Sequence, residues 1–102
     1  MSLLVYYTLK NAEDHDAQVA AMEALVAACK AEGIAGSDGL QYSCYGTEDP
    51  TRFVGVLEFD GDEGRAAFIN SAAFAAYRET VGDILAGPPD TTPITAIAST
   101  RT

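Results

Sequence analysis

Leu40-Gln41-Tyr42-Ser43-Cys44-Tyr45, the turn Glu48-Asp49-Pro50 and Phe53-Val54-Gly55-Val56-Leu57-Glu58-Phe59 lie at the centre of this chain. The first run alternates, with Leu40, Tyr42 and Cys44 on one face and Gln41, Ser43 and Tyr45 on the other, as a half-covered strand does. The second is apolar on both faces, and Gly55 in its middle marks a bulge or a close backbone approach. Acid-acid-proline is turn chemistry, so the two runs read as neighbouring strands.

Working outward, each side of this β-β unit carries a helical pattern and then one more strand. Upstream, roughly Ala12–Glu32 shows a stripe of His15, Val19, Met22, Val26 and Cys29, widened by Leu25, which predicts a helix with that face on the sheet. Asn11 is the expected N-cap, Glu13, Asp14 and Asp16 suit the positive helix start, and Gly33, Gly36 and Gly39 end it. Before it, Leu3–Leu9 reads as a strand covered on both faces. Downstream, Asp60-Gly61-Asp62-Glu63-Gly64 is a turn. Ser71 reads as an internal N-cap that divides the next region into a short helix to about Asn70 and a longer one from Ala72. The longer piece places Phe74, Tyr77, Val81, Ile84 and Leu85 on one face, and Gly87-Pro88-Pro89 stops it. Ile94–Ser99 is the expected last strand. The order β-α-β-β-α-β predicts an α+β, ferredoxin-like plan over residues 1–102: one domain, a four-stranded antiparallel sheet with the helices on one face.

Composition bounds the partners. The chain has 102 residues, a hydrophobic fraction of 48% and a net charge of −9. Its six basic residues are scattered, whereas phosphate neutralisation needs clustered Lys and Arg. No nucleic-acid partner and no anionic membrane surface is therefore expected. A neutral or aromatic small molecule suits this surface better than a phosphorylated one. The absence of an apolar run long enough to span a bilayer, and of a charged-then-apolar leader, predicts a protein without a membrane segment. Cys29 and Cys44 form neither a disulfide framework nor a metal pattern, so a reducing cytoplasm is the expected location. Helices on one face leave the other sheet face apolar and aromatic. That face needs cover, and pairing with a second copy through the sheet faces would supply it.

The chain resembles the antibiotic biosynthesis monooxygenase domain family, within the dimeric α+β barrel superfamily. The resemblance covers nearly the whole length. It rests on the element order, on Asp38-Gly39-Leu40-Gln41-Tyr42-Ser43-Cys44-Tyr45 after the first helix, and on Phe53–Phe59 leading to Asn70-Ser71-Ala72-Ala73-Phe74. In the family a Glu-x-Trp pattern often closes the third strand and a His-x-x-Ser-x-x-Phe pattern follows. Here the first reads Leu57-Glu58-Phe59. The second reads Phe68-Ile69-Asn70-Ser71-Ala72-Ala73-Phe74, retaining Ser71 and Phe74 but replacing the histidine by Phe68. Haem-degrading relatives use a histidine on this helix with an Asn and a Trp nearby. With Phe68 in place and no Trp in the chain, the resemblance implies the cofactor-independent oxygenase or cyclase branches, acting on an aromatic polyketide-like molecule.

Candidate chemistry is sparse. His15, the only histidine, is the candidate base, taking a proton from an activated phenol or carbon acid; it also reads as a first-turn histidine with no chemical task. Tyr77 is the candidate hydrogen-bond donor to a substrate carbonyl or phenolate, or else a core tyrosine with a wet tip. Asn70 and Arg78 are candidates for orienting a ligand oxygen, or else a helix-end amide and a solvated cation. Tyr6, Tyr42, Phe59, Phe68 and Phe74 are candidate aromatic walls. Cys29 and Cys44 read as small buried hydrophobes. Asp60, Asp62 and Glu63 lack the spacing of a calcium loop, so no metal site and no organic cofactor is expected. A non-catalytic small-molecule binder and a purely structural dimer are the alternatives to an enzyme.

Overall fold

The computed structural model describes residues 2–33, 41–59, 61–98 and 100. The expectations that fall on Gly36, Gly39, Leu40, Asp60 and Ser99 lie outside the described residues. The elements are β1 (Ser2–Thr8), a 3-10 turn (Ala12–Asp14), α1 (His15–Ala31), β2 (Gln41–Gly46), β3 (Arg52–Glu58), α2 (Asp62–Ile69), α3 (Ala72–Val81) and β4 (Asp90–Ile94). All strand pairs are antiparallel, in the order β2-β3-β1-β4. This is the α+β, ferredoxin-like plan, with its second helix divided in two.

The side-chain period of two along each strand decides the two faces. Val5, Tyr7, Phe53 and Leu57 are buried on the helix side. Leu4, Tyr6, Val54 and Val56 point the other way, and Tyr6 is 48% exposed. The strand β1, expected to be covered on both faces, is thus covered on one within a single chain.

The helix α1 packs on a face turned from the expected stripe. Gln18, Ala21, Met22, Leu25 and Cys29 are buried, while Val19 sits only part-buried at the edge. The reason is that α1 must meet α3 as well as the sheet. Ala17, Ala20, Ala21, Ala24 and Ala28 face Ala73 and Ala76 of α3 across a shared groove, and small side chains let two helices lie close. Asn11 makes no side-chain cap; a 3-10 turn precedes the helix instead. At the other end Gly33 takes φ of 74°, the left-handed conformation that favours glycine at a helix stop.

Ser71 divides the second helical region as its residue type predicts. Its hydroxyl donates to the Phe68 carbonyl at 2.7 Å and accepts from the Phe74 N–H at 3.1 Å. The Glu32 carboxylate, just past α1, accepts a further N–H of the same helix start, from Ala73, at 2.7 Å. This capping of α3 by a residue from the end of α1 fixes the two helices against each other.

Two boundaries differ from expectation. The helix α3 ends at Val81 with Gly82 as its cap, ahead of Gly87-Pro88-Pro89. Ile84 and Leu85 then lie on a turn tied to the end of β1, through Lys10 N–H to the Ile84 carbonyl at 2.9 Å and Ala86 N–H to the Thr8 carbonyl at 2.8 Å. That tether sets the register of the last strand, which pairs Tyr6 with Asp90 and Ser2 with Ile94. The strand is therefore Asp90–Ile94, and Ile97 beyond it is 97% exposed. Pro93 is admitted because β4 is an edge strand, where a missing N–H costs no ladder bond.

Candidate functional site

A cavity of about 370 Å³ lies between the helix side of the sheet and the pair α2–α3. Leu3, Val5 and Tyr7 of β1 and Leu57 and Phe59 at the end of β3 form its floor; Phe68 of α2 and Phe74, Tyr77 and Val81 of α3 form its roof. The sheet alternation and the α3 stripe aim these residues at one space. The aromatic rings form a continuous wall. Centroids are 6.2 Å apart for Phe59 and Phe68, 4.8 Å for Phe68 and Phe74, 6.5 Å for Phe74 and Tyr77, and 6.3 Å for Tyr77 and Tyr7. Leu57, Phe59 and Phe68 stand where the resembled family often has polar or indole residues. All three line this space, which makes it more apolar.

The polar groups at the cavity are few and specific. The Tyr77 hydroxyl accepts a hydrogen bond from Gln18 Nε2 at 2.8 Å. Its own proton remains available for donation. Gln18 is fully buried, and among the described residues its Oε1 finds no donor. The hydroxyls of Tyr7 and Tyr42 lie 2.6 Å apart and one donates to the other. Tyr42 is also hydrogen-bonded to Cys44, so a proton is left over only when Tyr42 donates to Tyr7, and it is then the proton of Tyr7. Burial pushes the Tyr77 phenol up to about 12, against the opposing effect of the Gln18 hydrogen bond. Burial also raises the phenols of Tyr7 and Tyr42. Near neutral pH these groups are protonated, so they can donate hydrogen bonds and cannot act as bases. Among the described lining residues there is no Asp, Glu or His. Arg65 and Arg78 are also in the lining, and the Arg78 guanidinium sits 5.0 Å over the Phe74 ring.

The structure brings together Tyr77, Phe59, Phe68, Phe74 and Arg78 in this lining. Tyr42 adjoins it, edge-on to Phe68 at 6.0 Å and joined to Tyr7. Three candidates lie elsewhere. The His15 ring Nδ1 is 2.8 Å from the Pro50 carbonyl oxygen, and the ring stacks on Phe53 at 5.0 Å. It anchors the β2–β3 turn, because the start of α1 overhangs that turn and not the cavity. Tyr6 is on the open face of the sheet, opposite Val54 and Asp90. Asn70 caps α2 through its backbone and is exposed. Sequence reasoning missed Gln18 and Arg65. The signal for Gln18 was its place at i, i+3, i+4, i+7 with Ala21, Met22 and Leu25, a core position held by an amide.

Cys29 and Cys44 are free thiols whose titration burial raises. Neither has the lowered value of a reactive thiolate. No helix among the described residues is long and apolar enough to cross a membrane.

No family model matches the sequence, and no curated protein does. Solved structures share the fold. A Nitrosomonas europaea protein provisionally named an antibiotic biosynthesis monooxygenase is 24% identical, with 89% of this chain and 84% of that chain covered and a TM-score of 0.76. One from Caulobacter crescentus, named in the same provisional way, is 13% identical over 95% of this chain and 89% of that one, at a TM-score of 0.79. A structure of Rv0793 from Mycobacterium tuberculosis is 19% identical over 97% and 96%, at 0.77. The chain therefore has the fold of antibiotic biosynthesis monooxygenase domains.

Proposed function

We propose that the chain is a cofactor-independent monooxygenase, or a related cyclase, for an aromatic polyketide-like molecule held in the cavity under α2 and α3. The observation that carries this reading is the Tyr77 hydroxyl, which accepts from Gln18 and so has its proton free for a ligand oxygen in an aromatic space. An anthrone-type substrate ionises to an enolate, whose oxygen takes hydrogen bonds from Tyr77 and from Tyr7, the latter with Tyr42 as the donor within the tyrosine pair. Such donors, fixed in advance in a dry site, stabilise developing negative charge at little reorganisation cost. The enolate carbon gives one electron to dioxygen, the radical pair combines to a peroxide, and loss of water leaves a carbonyl. In sum, CH₂ and O₂ become C=O and H₂O. The substrate carbon supplies all four electrons, so no external reductant is needed. With no base among the described lining residues, the substrate proton leaves to water at the cavity mouth.

That same lack of a base favours a second reading, a binder of aromatic molecules without turnover. Dioxygen uptake by the purified protein with anthrones and hydroxynaphthalenes, in the presence of chelator, separates the two. Uptake above the protein-free rate supports the oxygenase. Binding of the same compounds with no uptake supports the binder or the cyclase.

The proposal includes a homodimer through the open sheet face. Leu4, Tyr6, Tyr45, Val54, Val56 and Ile94 form an apolar band there, with Tyr45 55% and Ile94 38% exposed. Exposed apolar bands of this kind are covered in stable proteins. Light scattering is expected to give twice the 10.7 kDa chain mass, and Tyr6→Glu to halve it. A monomer at micromolar concentration would overturn this. The two free thiols accord with a cytoplasmic location for the dimer.

A further inference from the structure

We propose that the molecule taken by this cavity is an aromatic carboxylic acid, whose carboxylate is held at the mouth by Arg65 and Arg78. This rests on the reading of the cavity as the ligand site and names the chemistry of its occupant.

The argument is one of charge placement. The chain carries 15 acidic against six basic residues, four of the six being arginine. In so acidic a protein, arginines have carboxylates close by, as Arg52 has Asp49 at 3.8 Å. Arg65 and Arg78 do otherwise. Two of the four arginines line one cavity, on the two helices that roof it, and no acidic residue is among its described lining. Neither guanidinium has an ion pair among the described residues. The described lining thus holds two cations and no anion on a chain whose net charge is −9. Asp62 stands one turn before Arg65 on α2 but forms no ion pair with it, and screening confines the repulsion from distant carboxylates to about 8 Å at physiological salt.

The shape of the site agrees. The Arg78 Cζ stands 5.0 Å from the centre of the Phe74 ring, a contact that holds the guanidinium beside the aromatic wall, where its N–H groups can meet the two oxygens of a carboxylate. Arg65 precedes Phe68 by three residues on α2, so both cations project from the turns that carry the aromatic wall. A ring system lying along Phe59, Phe68 and Phe74 would place an acid group at the arginines and a ring oxygen toward Tyr77. A volume of about 370 Å³ is at the small end of ligand cavities, which run from roughly 300 to 1,000 Å³. This suits two or three fused rings.

Calorimetric titration with 2-naphthoate and with 2-naphthamide tests the assignment, since the two share a ring system and differ in charge. Wild type is expected to bind 2-naphthoate about tenfold tighter than 2-naphthamide, as a charge-assisted pair implies. Arg65→Gln and Arg78→Gln should each narrow that preference and the double variant should remove it, with 2-naphthamide affinity held within about twofold. Arg65→Gln alone disturbs no ring contact, so it keeps the comparison free of the Phe74 stack. Equal affinity of wild type for the two probes would overturn the carboxylate assignment and leave the aromatic cavity standing. So would a preference that survives in the double variant. If neither probe binds wild type, the cavity reading falls and the carboxylate assignment with it.

Discussion

Tyr77→Phe is expected to lower dioxygen uptake about a hundredfold while leaving the fold intact, as loss of one pre-positioned donor to a developing oxyanion does. Burial raises the Tyr77 phenol to about 12, so at neutral pH its role is donation and the variant removes a donor, not a base. The variant also leaves the Gln18 amide without its hydrogen-bond partner among the described residues, the hydroxyl at 2.8 Å. A buried amide so orphaned costs about 1–3 kcal/mol, and the urea midpoint should fall accordingly. Gln18→Leu in the Tyr77→Phe background should restore most of that stability, because both polar partners are then gone together. It should restore none of the uptake. That separation identifies the hydroxyl as chemical and the amide as the group that orients it. If the folded single variant turned over at the wild-type rate, Tyr77 would be a packing residue and the oxyanion role would pass to the Tyr7–Tyr42 pair.

The element order could be read from the chain because each element carries its own local signal. Ser71 shows this best: a residue with strong N-cap preference between two apolar patterns breaks the helix where expected, and its hydroxyl makes the capping bond. Asp90–Ile94 gave no such signal. Asp90, Thr91 and Thr92 are polar, Pro93 argues against a strand, and what makes them one is the tether from Ala86 to Thr8, a long-range contact that no window of sequence contains. The face of α1 was misjudged for a related reason. Apolar periodicity selects Val19 and Val26, but contact with α3 selects small residues, so the helix turns to bury Ala21 and Gln18. His15 was placed correctly on α1, but only the tertiary fold shows that the helix start overhangs Pro50 and Phe53 and that the ring stands outside the described cavity lining. The aromatic wall was half legible. Phe74 and Tyr77 follow from helical spacing and Phe68 from the resembled motif, whereas the division of the tyrosines needed the strand register, which sends Tyr7 and Tyr42 inward and Tyr6 and Tyr45 outward.

Gly55→Val is expected to destabilise the protein by about 3 kcal/mol, although valine is ordinarily the better strand residue by up to about 1 kcal/mol. The register explains the reversal. Gly55 sits in regular pairing between Val5 and Cys44, with no bulge. Tyr7 lies opposite Phe53 and Tyr42 opposite Leu57, so the two rings reach diagonally across β3 from either side and meet above Gly55. Their hydroxyls join at 2.6 Å over the glycine. A Cβ added there would stand 3.0 Å from Tyr42 Cε1, 3.2 Å from Tyr7 Cε2 and 3.3 Å from the Tyr7 hydroxyl. Neither ring can simply move aside, since Tyr7 is 5% exposed and each is bonded to the other. Overpacking of this kind costs about 1–3 kcal/mol, and parting the tyrosine pair adds about 1 kcal/mol. Gly55→Ala should lose less, about 1 kcal/mol, because a methyl needs a shift of only tenths of an ångström. The contact can be isolated by a double-mutant cycle read from urea midpoints: in a Tyr42→Ala background the penalty of Gly55→Val should shrink by about half, the nearest obstructing ring being gone. Stabilisation of the wild-type chain by Gly55→Val would mean that the two rings do not cross there, and that the paired phenols are not the donors assigned to the cavity floor.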